Sequence, residues 1–175
     1  SGASERNAVW SPDGNWISYF SDESGEYQLL LRATTGEGEV RKINIEKSPS
    51  YYGEPMWSPD SKKLAFYDKR SAVWIVNRET NQVTRVDSSI HPEPETMTAA
   101  WSRDSQWLAY EKNLSNRLKG VFLYSLASGK SHQVTNSLYN AEAPAFDASG
   151  KYLYFLQSMN AGMRRAFGMT MFTFR

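Results

Sequence analysis

The chain has 175 residues, with 20 Lys and Arg against 19 Asp and Glu, a net charge of +1 and no cysteine. That balance gives no general pull toward nucleic acid or a membrane surface, and nothing can depend on disulfides. No apolar run reaches the ~18 residues of a membrane-spanning helix and no secretory leader opens the chain, so a cytoplasmic location is expected, with the bacterial periplasm as the alternative.

The first clear element ends in Trp10-Ser11-Pro12-Asp13-Gly14, and this phrase recurs as Trp57-Ser58-Pro59-Asp60-Ser61, Trp101-Ser102-Arg103-Asp104-Ser105 and Phe146-Asp147-Ala148-Ser149-Gly150. The leading aromatics stand 47, 44 and 45 residues apart, the length of one four-stranded propeller blade. Ser at the first position, Pro at the second and Gly at the fourth suit a type I turn, so the recurring Asp reads as a turn former. After each phrase comes an aromatic and aliphatic strand: Trp16 to Phe20, Lys63 to Tyr67, Trp107 to Glu111 and Tyr152 to Leu156. Third strands are expected at Tyr27 to Arg32, Ala72 to Asn77 and Gly120 to Ser125. Turn signals at Thr35-Gly36, Thr80-Asn81 and Ser128-Gly129 then lead into polar fourth strands at Val40 to Ile43, Gln82 to Val86 and Ser131 to Thr135.

The fourth unit is unfinished. Tyr152 to Ser158 leads into a connector, Met159 to Arg165, and a third strand at Phe167 to Phe174, with no fourth. The predicted fold class is all-β: a partial β-propeller of about four blades of four antiparallel strands, the last incomplete. The blades are expected at about 5–47, 52–90, 96–138 and 142–175, in a single propeller segment that is a fragment of a larger propeller protein. Repeat units bury their faces against neighbours, so an open arc leaves its two ends uncovered. Self-association through the open blade edges is expected of the chain alone.

The sequence carries no recognisable catalytic pattern. No Gly-x-Ser-x-Gly string exists for a nucleophile elbow. His91 and His132 have no neighbouring carboxylate in a pattern that would orient a base. Ser128-Gly129-Lys130-Ser131 resembles the end of a phosphate loop, but Tyr124 stands where its first glycine belongs. Asn113-Leu114-Ser115 fits the glycosylation pattern and reads as a chance match. No metal site and no cofactor are expected.

In such a fold the loops after the second and fourth strands share one face. The former carry Lys69, Arg70, Lys112, Arg117, Lys119, Arg164 and Arg165 against Asp22, Glu23, Glu26, Asp68 and Glu111. Two readings stand: a solvated, solubilising rim, or a face that steers acidic groups such as peptide C-termini to a central channel. The candidate substrate-binding residues are Tyr51, Tyr52, Arg70, Arg117, Lys119, Arg164 and Arg165. The Tyr51-Tyr52 pair serves there either as a contact or as packing for a neighbouring loop.

Two stretches, Trp10 to Tyr27 and Tyr152 to Gly162, resemble the blades of tricorn-type serine peptidases; the turn phrase alone is shared with TolB-like and prolyl-oligopeptidase-type propellers. The resemblance covers the chain to about Gly162 and fades over Met163 to Arg175. It implies a non-catalytic propeller segment that acts as scaffold and channels or gates peptides, with the remaining blades and the catalytic domain of a parent peptidase as partners. No catalytic residue of that family matches a position here, so no peptidase activity is expected of the chain itself. The alternatives are a TolB-like protein-binding propeller without enzymatic activity and the lid propeller of a prolyl-oligopeptidase-like hydrolase.

Overall fold

The computed structural model describes residues 2–45, 51–91, 98–161 and 164–173, and for 159–161, 164–169 and 172 the backbone alone. The blade limits expected at 47, 96 and 175, and Phe174 at the end of the last expected strand, lie outside these residues.

The chain folds into four antiparallel sheets in which spatial order equals chain order. Blade one holds β1 (Glu5–Trp10), β2 (Trp16–Ser21), β3 (Gln28–Ala33) and β4 (Arg41–Ile43); blade two holds β5 (Met56–Trp57), β6 (Lys63–Tyr67), β7 (Ala72–Asn77) and β8 (Val83–Ser88). Blade three holds β9 (Ala99–Trp101), β10 (Trp107–Asn113), β11 (Lys119–Ser125) and β12 (Lys130–Gln133), and blade four β13 (Ala141–Phe146), β14 (Tyr152–Ala161) and β15 (Arg164–Thr173). No helix in the described residues is long and apolar enough to cross a membrane.

The fourth blade departs from expectation. The second strand runs on to Ala161 and the third begins at Arg164, paired Asn160 with Arg165 and Ala161 with Arg164. The Gly- and Arg-bearing composition suggested a connector over Met159 to Arg165, but backbone pairing continues through polar residues as readily as through apolar ones, and the register carries the ladder to the hairpin tip.

Each signature phrase forms the same turn. The N–H of the fourth turn residue donates to the carbonyl of the first in all four: Gly14 to Ser11, Ser61 to Ser58, Ser105 to Ser102 and Gly150 to Asp147, at 2.8–3.0 Å. The Asp is a turn former in the expected sense. Asp13 accepts from the Ser11 hydroxyl at 2.5 Å and from the Asn15 N–H at 3.0 Å, while Ser11 Oγ accepts the Trp16 N–H. Asp60 and Asp104 repeat this with Ser58 and Ser102. The fourth position is left-handed in every copy, φ +72° at Gly14 and Gly150, +57° at Ser61 and +58° at Ser105, which explains the glycines.

Strand alternation sends one set of side chains forward and the other back, and three apolar clusters fill the spaces between successive blades. Phe20, Leu29 and Leu31 meet Trp57, Leu64 and Phe66; Ala65, Val73 and Ile75 meet Trp101, Leu108 and Tyr110; Ala109, Val121 and Leu123 meet Leu153 and Phe155. Leu64, Leu108 and Leu153 are fully buried, each worth about 1.5–3 kcal/mol of apolar burial.

Polar contacts lock the blades in register. The Trp57 indole N–H donates to the Val9 carbonyl at 3.2 Å, and that of Trp101 to the Met56 carbonyl at 3.0 Å. In each pair the next blade's signature tryptophan grips the residue before the preceding aromatic. The turns are linked as well, Asp13 N–H to Ser61 Oγ and Asp60 N–H to Ser105 Oγ. At the third junction Phe146 and Gly150 supply neither group, and Arg103 Nη1 donates instead to the Ala148 carbonyl at 2.6 Å. Asn113 is buried and its amide donates to the His91 carbonyl at 2.7 Å, consistent with a chance match to the glycosylation pattern.

Candidate functional site

The loops after the second and fourth strands form one face, and hydrogen bonds tie the two sets together. The Lys69 N–H donates to the Tyr51 carbonyl at 2.9 Å. Asn116 Nδ2 donates to the Ser137 carbonyl at 2.8 Å, and the Lys119 N–H to Asn140 Oδ1 at 2.9 Å. In each pair a second-to-third hairpin is fastened to the connection that enters or leaves its own blade.

The candidate residues separate on this face. Tyr51 is 45% exposed and sits against the Lys69-Arg70 tip; Arg70 is exposed there beside it. Tyr52 turns inward, 4% exposed, stacked on Phe20 at a ring separation of 5.0 Å and edge-on to Phe66. Its position holds the Tyr51 backbone to the core. Arg117 is exposed in the β10–β11 loop with φ +63°. Lys119 opens β11 and is largely buried, its ammonium 3.6 Å from Glu111 Oε2 and 3.7 Å from Glu142 Oε2. Arg164 and Arg165 are the first residues of β15, at the tip of the last hairpin. The structure thus ties the Tyr51 backbone to Lys69, next to Arg70 in the same hairpin tip, and places Arg117 and Lys119 on one hairpin of blade three.

Two acids counted with this face are not on the surface. Asp68 is buried and caps its own hairpin, accepting the N–H groups of Arg70 and Ala72 at 2.8 and 2.9 Å and the Trp74 indole N–H at 3.1 Å. Glu111 is buried between blades three and four, where Oε1 accepts from Thr98 Oγ1 at 2.5 Å and from the Ala143 N–H at 2.6 Å. Ala143 lies in a bulge of β13 with φ +54°, and the carboxylate receives the N–H that the bulge releases from the ladder. Lys112 is paired in turn with Asp87 at 2.7 Å. The exposed charge that remains at the hairpin tips of blades two and three is Lys69, Arg70 and Arg117, whereas Glu23 and Glu26 are exposed at the tip of blade one.

Sequence reasoning missed a group beside Tyr51. The Arg6 guanidinium carbon stands 5.7 Å from the Tyr51 ring centre, and Tyr27 meets Tyr51 edge-on at 6.1 Å. Hydrogen bonding to Tyr51 raises the Arg6 pKa above its ordinary value, so the group is a fixed cation. Arg6 lies in a strand whose facing cannot be read without register, so no sequence signal marks it. Ile90, Leu138 and Tyr139 are also exposed in the connections on this face. The two deep phenols are no bases: burial first, with Glu111 second, holds Tyr67 well above the ordinary tyrosine range, and burial likewise raises Tyr110, whose hydroxyl donates to Asp87 at 2.7 Å.

A cavity of about 670 Å³ lies along the first strands of blades one to three, lined among others by Val9, Trp10, Gly53, Met56, Thr98 and Ala99. β1, β5 and β9 are edge strands of their sheets, so the cavity follows a series of strand edges.

Successive antiparallel blades, three of four strands and one of three, each with a signature turn between its first and second strands, define a β-propeller segment. More narrowly, the chain belongs to the family of the tricorn protease second beta propeller domain, whose family model matches residues 1–160. It is 28% identical over 122 residues to the putative tricorn-like protease C-terminal subunit of Sulfurisphaera tokodaii, covering 70% of this chain and 14% of that protein. It is 26% identical over 150 residues to the uncharacterized peptidase YuxL of Bacillus subtilis, covering 83% and 20%. The crystal structure of the tricorn protease has the same fold over 89% of this chain and 16% of that one, with a TM-score of 0.69 at 18% identity. The chain spans a fifth or less of the length of these proteins.

Proposed function

We propose that this chain is a non-catalytic propeller segment of a tricorn-like serine peptidase, a scaffold that meets peptides along its inner strand edges and its cationic loop face. The observation that carries the reading is the match to a tricorn propeller family over residues 1–160. The cavity along the edges of β1, β5 and β9 supports it, because an extended peptide can add its backbone to an exposed strand edge. Lys69, Arg70 and Arg117, with Arg6 beside Tyr51, would draw in a peptide carboxylate, and Arg164 and Arg165 extend the same charge to blade four. Tyr52 and Lys119, both largely buried, act as supports for Tyr51 and for the third hairpin. Catalysis belongs in this reading to another part of the parent protein.

The test is fluorescence anisotropy of a labelled, unstructured peptide with a free C-terminus, titrated with the 175-residue chain. Saturable binding without cleavage is expected, weakened several-fold by amidating the peptide C-terminus or by Arg70→Glu with Arg117→Glu. Absence of saturable binding would overturn the peptide-handling reading. Cleavage abolished by a serine-directed inhibitor would overturn the non-catalytic one.

A further inference from the structure

The innermost strand of blade three turns part of its backbone away from its own sheet. The Ser102 N–H donates to the Trp107 carbonyl and the Glu111 N–H to the Thr98 carbonyl, and the register between them is unbroken, Trp101 with Leu108, Ala100 with Ala109 and Ala99 with Tyr110. Bonded and unbonded pairs alternate along an antiparallel ladder. Thr98, Ala100 and Ser102 therefore bond to β10, while Ala99 and Trp101 direct their N–H and C=O groups outward. β9 is an edge strand, and these groups have no partner among the described residues. Thr98 is exposed and Ala99 half-buried. Ala99 stands two residues before the signature aromatic, where the other blades carry Ala8, Pro55 and Pro144.

In those blades the same edge is blunted by two devices that natural sheets use against edge-to-edge pairing. Pro55 and Pro144 have no N–H to offer. A bulge also breaks the edge: from Val9 to Arg6 is three residues against two from Ser18 to Phe20, and from Ala145 to Glu142 three against two from Tyr154 to Leu156. Blade two does the same, since Met56 pairs with Ala65 while the Gly53 N–H donates to the Tyr67 carbonyl. From Trp101 to Thr98 the count is three against three. Among the described residues, β9 is thus the one innermost edge with neither proline nor bulge. β13 flanks it on one side. On the other opens the cavity of about 670 Å³, lined by Thr98 and Ala99 and, from blade two, by Pro55, Met56, Trp57 and Tyr67. An innermost edge faces the central channel of a propeller, so further blades of a longer chain extend the ring without covering it.

We propose that the β9 edge is the docking site for an extended peptide, which adds to blade three as a fifth strand. The Ala99 N–H donates to a peptide carbonyl, the Ala99 carbonyl accepts a peptide N–H, and Trp101 repeats the pair two residues on. Strand alternation then sends one peptide side chain toward blade two, into the cavity walled by Met56, Trp57 and Tyr67. The ligand class is accordingly a peptide with a bulky apolar residue at that point. This inference rests on the peptide-handling reading and adds to it the strand edge and the side chain that are recognised.

The experiment is fluorescence anisotropy of a fluorescein-labelled hexapeptide of alternating Leu and Ser, titrated with the 175-residue chain and with its Ala99→Pro and Ala8→Pro variants. Ala99→Pro removes the outward N–H and sets a ring in the path of the ligand, and blades two and four already hold proline at this place. Ala8→Pro is the control: Asn7 before it has φ +56°, and Ala143, which precedes Pro144, has φ +54°. Circular dichroism verifies that each variant is folded. Saturable binding is expected of the wild type, unchanged in Ala8→Pro and weakened roughly tenfold or more in Ala99→Pro. N-methylation of successive peptide residues should weaken binding at alternate ones, as a strand ladder requires. Ser in place of every Leu should weaken it about tenfold or more, and an all-Ser peptide that binds as well removes the cavity from the site. Absence of binding by the wild type would overturn the peptide-handling reading and this site with it. Binding by Ala99→Pro equal to the wild type, or an equal loss in Ala8→Pro, would overturn the β9 site alone and leave the peptide-handling reading standing. Should Ala99→Pro be unfolded, the N-methyl series decides: a loss without alternation counts against the edge.

Discussion

Ser105 offers a test of the blade-to-blade lock in which two small substitutions should part company. It occupies the fourth turn position with φ +58°, is fully buried, and accepts the Asp60 N–H of the preceding blade at 3.0 Å. Ser105→Ala removes the acceptor and keeps the left-handed backbone, so it should cost about 1–3 kcal/mol for the N–H left without its partner. Ser105→Gly loses the same bond but relieves the ~1–2 kcal/mol that a side chain costs in that region, offset by ~0.5–1 kcal/mol of extra freedom in the unfolded chain. Glycine should therefore be about 0.5–1 kcal/mol less harmful than alanine, the reverse of the order expected inside a strand. Gly14 and Gly150 already hold the equivalent place. At roughly 2–4 °C per kcal/mol for a chain of this size, alanine should lower Tm by about 2–12 °C and glycine should melt about 1–4 °C above it. Thermal unfolding followed by circular dichroism at one fixed protein concentration measures this, because association shifts apparent stability. Glycine melting at or below alanine would refute the reasoning.

Lys119→Met should cost about 3 kcal/mol or more by leaving the buried Glu111 carboxylate without its cation, and adding Glu111→Gln should restore part of the loss; a urea midpoint unchanged in Lys119→Met would count against the ion pair as a structural element. Trp57→Phe should cost about 1 kcal/mol through the lost bond to the Val9 carbonyl, with the fold retained, since Phe146 stands at the same place in blade four; a midpoint equal to wild type would remove the indole from the lock. The turn aspartates set an acid limit. The Ser149 hydroxyl and the Tyr152 N–H lower Asp147 from 3.8 to about 2, and the Ser11 hydroxyl lowers Asp13. For Asp60, burial works against ionisation and is outweighed by Ser58, Lys62 and Lys63, so it too is lowered. A lowered native value means these turns add stability that is complete above the unfolded pKa, near 4, and disappears as pH falls toward 2; a carboxyl titration by NMR that placed Asp147 near 4 would refute it.

The fold was legible because its signals are local. The aromatic phrase, the strand composition after it and the turn residues all act within a few positions, and they located the second to fourth strands of the first three blades to within a residue or two. The end of the fourth blade was not, since continuation of a ladder depends on a partner's backbone, and Met159 to Arg165 carries no apolar pattern to mark it. The loop face was legible as a set of sequence positions but not as a surface. Asp68 and Glu111 read as surface charges, yet each is turned inward by N–H groups that only the folded chain supplies: the Trp74 indole for one and the bulged Ala143 for the other. Tyr51 and Tyr52 are adjacent and chemically alike, and only the folded chain, through the bridge of Tyr52 to Asp68, shows that one is exposed and the other packs against Phe20.

The same logic explains where a family of such chains can vary. Trp57, Trp101 and the serines at 61 and 105 bond across a blade boundary, so a change in one acts on two blades at once, while the turn aspartates bond inside their own turns. The tips carrying Arg70 and Arg117 bear no such constraint, because other groups anchor their loops: the Tyr51 carbonyl takes the Lys69 N–H, the Ser137 carbonyl takes the Asn116 side-chain amide, and Asn140 Oδ1 takes the Lys119 N–H. The Arg70 and Arg117 side chains can be exchanged without disturbing the anchors that position them, whereas Asp68, Asn116 and Asn140 are themselves anchors. A scaffold built this way can present different chemistry at each hairpin tip, so the cationic tips of blades two and three, beside an acidic tip on blade one, are not requirements of the fold.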